Sequence, residues 1–324
     1  MFTKFAQFMA TGCLLLAMTS LTGAPAMASD AAELKVETSF VADDGRDLRA
    51  ILDSGTRKML TPAHGVGAKF GPAQKARYCK LKSGGASVQW VVNDLKTGEV
   101  RARSANAEKL YFGASVSKLF VAAAFLDTHK AQFTQQQLRE LVRMIVVSDN
   151  VAWKSLQRQT GGSESNYAGR VAVQAFVKRM GYPTIKGFQG WMKHRDGTQE
   201  HGNELNTLEL SRFLFDTYQR KYVGADVLWE IMRATRTGRS KIGKYTPADL
   251  RIGGKTGTYS GRNESPETIH LPTIGSRNHA AVLFYKGGIY GISVLANTAS
   301  SEDVAILGGG LMRDYLGVEP AINC

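Results

Sequence analysis

Between residues 86 and 104, Val88, Trp90 and Val92 alternate with Gln89, Val91 and Asn93, a period of two that predicts a strand. Lys96-Thr97-Gly98 then turns the chain into Val100 and Ala102, which makes the segment a hairpin. From 116 to about 234 the period becomes helical. Thr134 and Gln137 form a capping box ahead of Leu138, Leu141, Val142 and Ile145. Val173, Phe176, Val177 and Met180 repeat the i, i+3, i+4, i+7 stripe before Gly181, and Leu210, Phe213 and Leu214 begin another. Strand signals return from His279 to Lys286, turn at Gly287-Gly288 and continue from Ile289 to Asn297. A last helix starts near Ser300 and carries Val304, Leu307 and Leu311. This order predicts an α/β fold of the α+β kind: a mainly antiparallel sheet from both chain ends, covered by terminal helices, plus an all-helical lobe at about 116–234. Chemistry is expected in the cleft between the lobes.

The first 28 residues read differently: Lys4 opens a basic n-region, Cys13 to Met18 sit in an apolar stretch, and Ala26-Met27-Ala28 supplies the small residues of a cleavage site. The apolar stretch is short and broken by Thr, Ser, Gly and Pro25, so a signal peptide cleaved after Ala28 is expected, with no stable membrane anchor afterwards. The expected organisation is therefore a signal peptide at 1–28, an N-terminal extension and helix at 29–85, a catalytic domain at 86–318 and a tail at 319–324. The mature chain is expected to be exported, periplasmic or secreted.

Composition narrows the partners. With 324 residues, 43% hydrophobic and 21% charged, the chain is globular and long enough for a well-buried core. Loss of Lys4 with the signal lowers the net charge of +13 by one, and the remaining charge is spread along the chain. Such a surface suits anionic envelope polymers; no nucleic-acid motif is present, and none is expected as a partner. Cys13, Cys79 and Cys324 have no zinc-like spacing. After export Cys79 and Cys324 share an oxidising compartment, either as a disulfide or as two thiols.

Three short strings carry candidate chemistry. Ser115-Val116-Ser117-Lys118 opens an apolar helix, where residues three apart share a face, so Lys118 can reach the Ser115 hydroxyl. A desolvated lysine there can act as base, while Ser117 points elsewhere. Ser148-Asp149-Asn150 follows the next helix; Ser148 can relay a proton to a leaving nitrogen, and the Asn150 amide can hold a substrate carbonyl. Lys255-Thr256-Gly257-Thr258 lies on a strand candidate, where Lys255 and Thr256 can bind a carboxylate and Gly257 lets a substrate backbone approach. The same letters at Lys96-Thr97-Gly98 are explained by the hairpin turn and are assigned no function.

In this order, across roughly residues 80–318, the strings resemble those of the penicillin-recognising serine enzymes, the superfamily of D-alanyl-D-alanine peptidases and class A β-lactamases. The resemblance implies a β-lactamase/transpeptidase-like fold, with Ser115 as acylated nucleophile and Lys118 as general base or proton relay. Ser148 would pass a proton to the leaving nitrogen, and Lys255 would assist that relay and bind carboxylate with Thr256. The backbone N–H groups of Ser115 and Thr258 would hold the oxyanion. No metal or organic cofactor is required.

Two departures bear on the substrate. Only 33 positions separate Ser115 from Ser148, fewer than in class A enzymes, which predicts a more open cleft. Those enzymes also carry Glu-x-Glu-Leu-Asn, whose first Glu activates the deacylating water; here the string is Gly202-Asn203-Glu204-Leu205-Asn206. Glu200 and Glu204 are nearby, but Gly202-Asn203 reads as a turn and Asn206 as an N-cap before Leu210. His201 reads as a loop histidine. The stretch Tyr259–Asn278 is long and carries Arg262, Glu264, His270 and Arg277, with an arginine there either clamping a carboxylate or lying on a surface loop.

The leading expectation is an exported serine hydrolase that forms an acyl-enzyme at Ser115 with a small-molecule β-lactam or a peptidoglycan stem peptide ending in D-alanine, and deacylates slowly. The alternatives are an efficient class A-type β-lactamase using Glu200 or Glu204 as base, and a binding or sensor module without turnover. Oligomeric state is left open.

Overall fold

The computed structural model describes residues 39–84, 87–162, 165–260, 275–322 and 324. The expected signal peptide and Arg262, Glu264 and His270 lie outside the described residues.

Helices α1 (Leu48–Ile51), α2 (Ser54–Arg57) and α3 (Pro72–Lys82) precede the predicted hairpin of β1 (Val88–Asp94) and β2 (Val100–Arg103). The two-residue strand β3 (Tyr111–Phe112) leads through a 3₁₀ turn at Ala114–Ser117 into α4 (Lys118–Thr128). The helical lobe continues with α5 (Gln135–Val146), α6 (Asn150–Thr160) and α7 (Asn166–Arg179). Short pieces β4 (Trp191–Lys193), β5 (Gln199–His201) and β6 (Glu204–Leu205) interrupt it before α8 (Thr207–Tyr218) and α9 (Ala225–Arg233). The chain closes with β7 (Arg251–Tyr259), β8 (Ser276–Tyr285), β9 (Gly288–Ala296) and α10 (Ser301–Leu316).

The main sheet runs β2-β1-β9-β8-β7, antiparallel throughout, so strands from both chain ends pair as expected. One face packs on α3 and α10 through Tyr78, Trp90, Val92, Ile292, Leu307 and Leu311. The other packs on the helical lobe, where Phe213 lies 4.5 Å from the Phe120 ring. Truncating a fully buried phenylalanine of this kind to alanine costs about 3–5 kcal/mol. Sandwiched in this way, β1 is buried along its whole length. Its polar positions do not face water: Gln89 accepts from Thr207 N at 2.8 Å and Asn93 donates to Ser211 O at 3.0 Å, joining the hairpin to the start of α8.

Local signals hold at helix ends. Thr134 and Gln137 make the expected reciprocal box, Asn206 accepts from Glu209 N at 2.8 Å, and Ser300 caps α10. Cys79 on α3 and Cys324 are joined by a disulfide. Among the described residues no helix is long and apolar enough to cross a membrane.

Candidate active site

Ser115 does not open a regular helix as the sequence suggests; it sits in the 3₁₀ turn before α4. Ala114, just ahead of it, is held at φ 47°, a left-handed conformation that L-residues adopt at a cost of about 1–2 kcal/mol. The turn lies tight against the adjacent sheet edge. A Cβ on Gly257 of β7 would stand 2.7 Å from Gly113 O and 3.1 Å from Ser115 N. Gly257 thus makes room first for the chain's own Ser115 turn, whereas the sequence reading reserves that space for a substrate backbone.

The tightened turn keeps Lys118 under Ser115, with Nζ 3.1 Å from Oγ. The same amine donates to Ser148 O at 2.6 Å, to Ser148 Oγ at 3.0 Å and to Asn150 Oδ1 at 2.6 Å. Ser148, at φ 64°, turns its hydroxyl between two lysines, because Lys255 Nζ approaches Oγ from the β7 side at 2.9 Å. Asp149 is structural: it caps α6 through Val151 N and Ala152 N and pairs with Arg143 at 2.6 Å. Asn150 spends its amide oxygen on Lys118, which leaves its NH₂ for a substrate carbonyl.

Lys118 is fully buried, with Nζ 4.9 Å from the centre of the Trp153 ring. Burial pulls its amine down to about 7, against the opposing pull of the Asp149 carboxylate. Lys255, also fully buried, is drawn well below the usual lysine range by desolvation and by the charges of Lys118 and Lys241.

Lys241 was missed by sequence reasoning. It leaves the irregular stretch after α9, is 3% exposed, and donates to Gly257 O, Thr258 Oγ1 (3.0 Å) and Asn278 O (3.0 Å). Burial, then the charge of Arg277, lowers its amine to about 7. No string around it marks a site; only the tertiary fold brings it to Thr258. Thr256 Oγ1 donates to Thr237 Oγ1 at 2.7 Å, and both threonines line a cavity of about 500 Å³ together with Ser148, Lys241 and Ser115. His279, opposite Thr256 on β8, is buried and held neutral by desolvation and by Lys241 and Lys255.

On the other side of Ser115 lies a second cavity of about 230 Å³, bordered by Phe112, Trp153, Trp191, Gly202, Asn203 and Tyr259. Here Gly202 holds the place where the resemblance calls for a glutamate. A Cβ on it would meet Phe188 O at 2.2 Å, so no side chain fits without moving backbone. Asn203, at φ 63°, accepts from Gly113 N at 2.9 Å through its carbonyl and from the buried Ser117 hydroxyl through Oδ1. Ser117 therefore braces the loop against the Ser115 turn.

Neither Glu200 nor Glu204 lines either cavity. Glu204 pairs with Phe112 in the β3–β6 ribbon and lies 3.3 Å from Lys186 Nζ; Glu200 lies 3.8 Å from the same amine and 3.5 Å from His194. Both carboxylates are thus engaged in ion pairing. His201 is buried against Trp191 rather than solvated, because the β4–β5 ribbon folds its ring inward. Arg277 donates to Tyr259 O and Ser276 O, both at 2.9 Å, tying the ends of β7 and β8.

The model of the β-lactamase enzyme family matches residues 128–308, a span that includes Ser148, Asn150 and Lys255–Thr258. The chain belongs to that family. Family membership, with the fold, puts the chain among the penicillin-recognising serine enzymes. Over 118 residues it is 30% identical to β-lactamase VEB-1 of Pseudomonas aeruginosa, a match that spans 34% of this chain and 37% of that relative. Among solved structures, a β-lactamase from Xanthomonas campestris pv. campestris superposes with a TM-score of 0.57 at 16% identity, covering 76% of this chain and 98% of the other. A class A β-lactamase from Mycobacterium abscessus gives 0.55 at 17% identity, covering 75% and 98%. This β-lactamase-family chain thus has the β-lactamase fold.

Proposed function

We propose that the protein is an exported serine hydrolase whose Ser115 is acylated by β-lactams or by peptides ending in D-alanine, and whose acyl-enzyme is hydrolysed slowly. The observation that carries this reading is the environment of the Lys118 amine. Its two shortest contacts, both 2.6 Å, go to acceptors that cannot donate, Ser148 O and Asn150 Oδ1. A neutral amine has two N–H donors and one lone pair, so with both donors spent the lone pair is left for a hydroxyl. Two hydroxyls are in reach, Ser148 Oγ at 3.0 Å and Ser115 Oγ at 3.1 Å; because Ser148 Oγ is also held by Lys255 Nζ at 2.9 Å, Ser115 is the one Lys118 would deprotonate. Burial that lowers this amine to about 7 makes the neutral form available near neutral pH.

The steps follow from that proton. Lys118 takes it from Ser115, whose oxygen attacks the amide carbonyl. The backbone N–H groups of Ser115 and Thr258 stabilise the oxyanion, and among the described residues β7 is the edge strand of the sheet, bridged on its outer side by His64 at Arg251. The leaving nitrogen receives a proton through Ser148, whose hydroxyl lies between Lys118 and Lys255. Lys255 and Lys241 offer N–H donors and Thr256 a hydroxyl to the substrate carboxylate, whose negative charge draws the lowered amines back toward their protonated forms. Deacylation then lacks the loop carboxylate, because Gly202 stands in its place.

The test is incubation of the protein with a fluorescent penicillin, followed by peptide mapping. Label on Ser115, absent from Ser115→Ala, is expected. Absence of label would leave the non-turnover binding module as the better reading, and label on Ser117 or Ser148 would move the nucleophile.

A further inference from the structure

A third cavity, of about 410 Å³, lies between the β1–β2 hairpin and α8, and none of the residues that border it borders either cavity at Ser115. Its apolar walls are Val100 of the hairpin, Pro183 after α7, and Leu208 and Phe215 of α8. Gly98, from the Lys96-Thr97-Gly98 string that the sequence explains as a turn alone, closes one end. We propose that this cavity binds a small arylalkyl carboxylate, with the ring between Val100, Leu208 and Phe215 and the carboxylate on Arg212. The proposal does not depend on acylation of Ser115.

Hydrogen bonds hold the hairpin and α8 apart at a fixed distance. Near the start of α8, Gln89 accepts from Thr207 N at 2.8 Å; just past its end, Gln219 Nε2 donates to Leu95 O at 3.0 Å and to Lys96 O at 3.1 Å. Asn93 donates to Ser211 O at 3.0 Å between them. Small side chains face the gap that these bonds frame, so it stays open: Gly98 and Val100 on the hairpin and Ser211 on α8. Gly98, at φ 80°, approaches Phe215 so closely that a Cβ would stand 2.9 Å from the ring Cζ. Val100 is left 41% exposed. A concave space of this size with apolar walls and few polar groups is the usual form of a small-molecule site, and a framework fixed in advance loses little entropy on binding.

Charge decides the class of ligand. Two charged residues border the cavity, and Glu209 is already occupied: its carboxylate accepts from Thr184 Oγ1 at 2.5 Å and from Ile185 N at 3.2 Å. Arg212 is exposed at the rim, donates to Gly181 O at 3.2 Å and lies 5.6 Å from the centre of the Tyr182 ring. Among the described residues no carboxylate stands within ion-pair distance of it. Its remaining N–H groups suit a carboxylate, whose two oxygens match the guanidinium fork.

The experiment is an NMR titration of the whole protein with 4-phenylbutyrate, 4-phenylbutylamine and butyrate. The aryl carboxylate should bind saturably with a Kd below about 1 mM, within reach of a ligand this small. Butyrate, which has no ring to bury, should bind at least about tenfold more weakly. Val100→Trp, at an exposed position, should fill the space and weaken 4-phenylbutyrate at least about tenfold. Arg212→Gln should weaken it about two- to fivefold, the worth of an exposed ion pair, and leave the amine no weaker. No saturable binding of 4-phenylbutyrate would overturn the proposal, and so would tighter binding of the amine than of the carboxylate. An unchanged Kd in a folded Val100→Trp protein would place the probe elsewhere and overturn it too. Labelling of Ser115 is read separately, so none of these results bears on the acylation reading.

Discussion

On the Ser148 side of Ser115, Lys118 and Lys255 share one hydroxyl at 3.0 and 2.9 Å, and each amine is stripped of water. On the Gly202 side the loop meets the same serine with a glycine that has no room for a Cβ and an asparagine that braces the turn. Proton transfer into and out of an attacking serine needs the first arrangement. Activation of a water against the resulting ester needs a base in the second. On the proposed mechanism, the difference teaches that forming an acyl-enzyme and clearing it are separable problems, resting on different elements: the first on α4, the start of α6 and β7, the second on the loop before α8.

The largest effect tests the first side. Ser115→Ala should abolish adduct formation, lowering the acylation rate at least about 10⁴-fold, with an unchanged far-ultraviolet dichroism spectrum. Lys118→Met should lower acylation about 10²–10⁴-fold, the usual worth of a general base. Its pH dependence has a definite sign: the amine is a base only when neutral, so the wild-type rate should climb as pH rises through about 7, and the Met variant should lose that limb. A pH-independent wild-type rate between 5 and 9 would detach Lys118 from the proton transfer.

The next two concern the second side. Gly202→Glu installs the carboxylate, yet its Cβ would collide with Phe188 O at 2.2 Å. We expect destabilisation of roughly 1–3 kcal/mol in denaturant melts and no gain in turnover. A stable variant with fast turnover would show that the loop lacks only the side chain. The smallest effect is expected from Glu200→Gln and Glu204→Gln, which should leave loss of the acyl adduct within about twofold. Abolished turnover with labelling spared would make one of them the base.

What could be read from the chain alone was what is local. The hairpin turn at Lys96–Gly98, the Thr134 box and the Asn206 cap each rest on residues within a few positions of one another, and each is present. The three-residue strands around Trp191 and His201 are too short to express a period, so the helical lobe hides them in sequence. Gln89 and Asn93 look like outward positions but meet partners 118 residues away in the chain. The site divides in the same way. Ser115 and Lys118 meet by helical spacing, whereas the meeting of Ser148 with Lys255 across 107 residues, and the arrival of Lys241 at Thr258, depend on packing that no string records.

The contrast between the two sides of Ser115 is tested most directly by following the mass of the protein and the release of hydrolysed benzylpenicillin together, from the first seconds after mixing. The account predicts a burst of one adduct per chain on Ser115, followed by turnover about 10²–10⁴-fold slower than acylation. Rapid, steady hydrolysis with no burst and no accumulated adduct would contradict it.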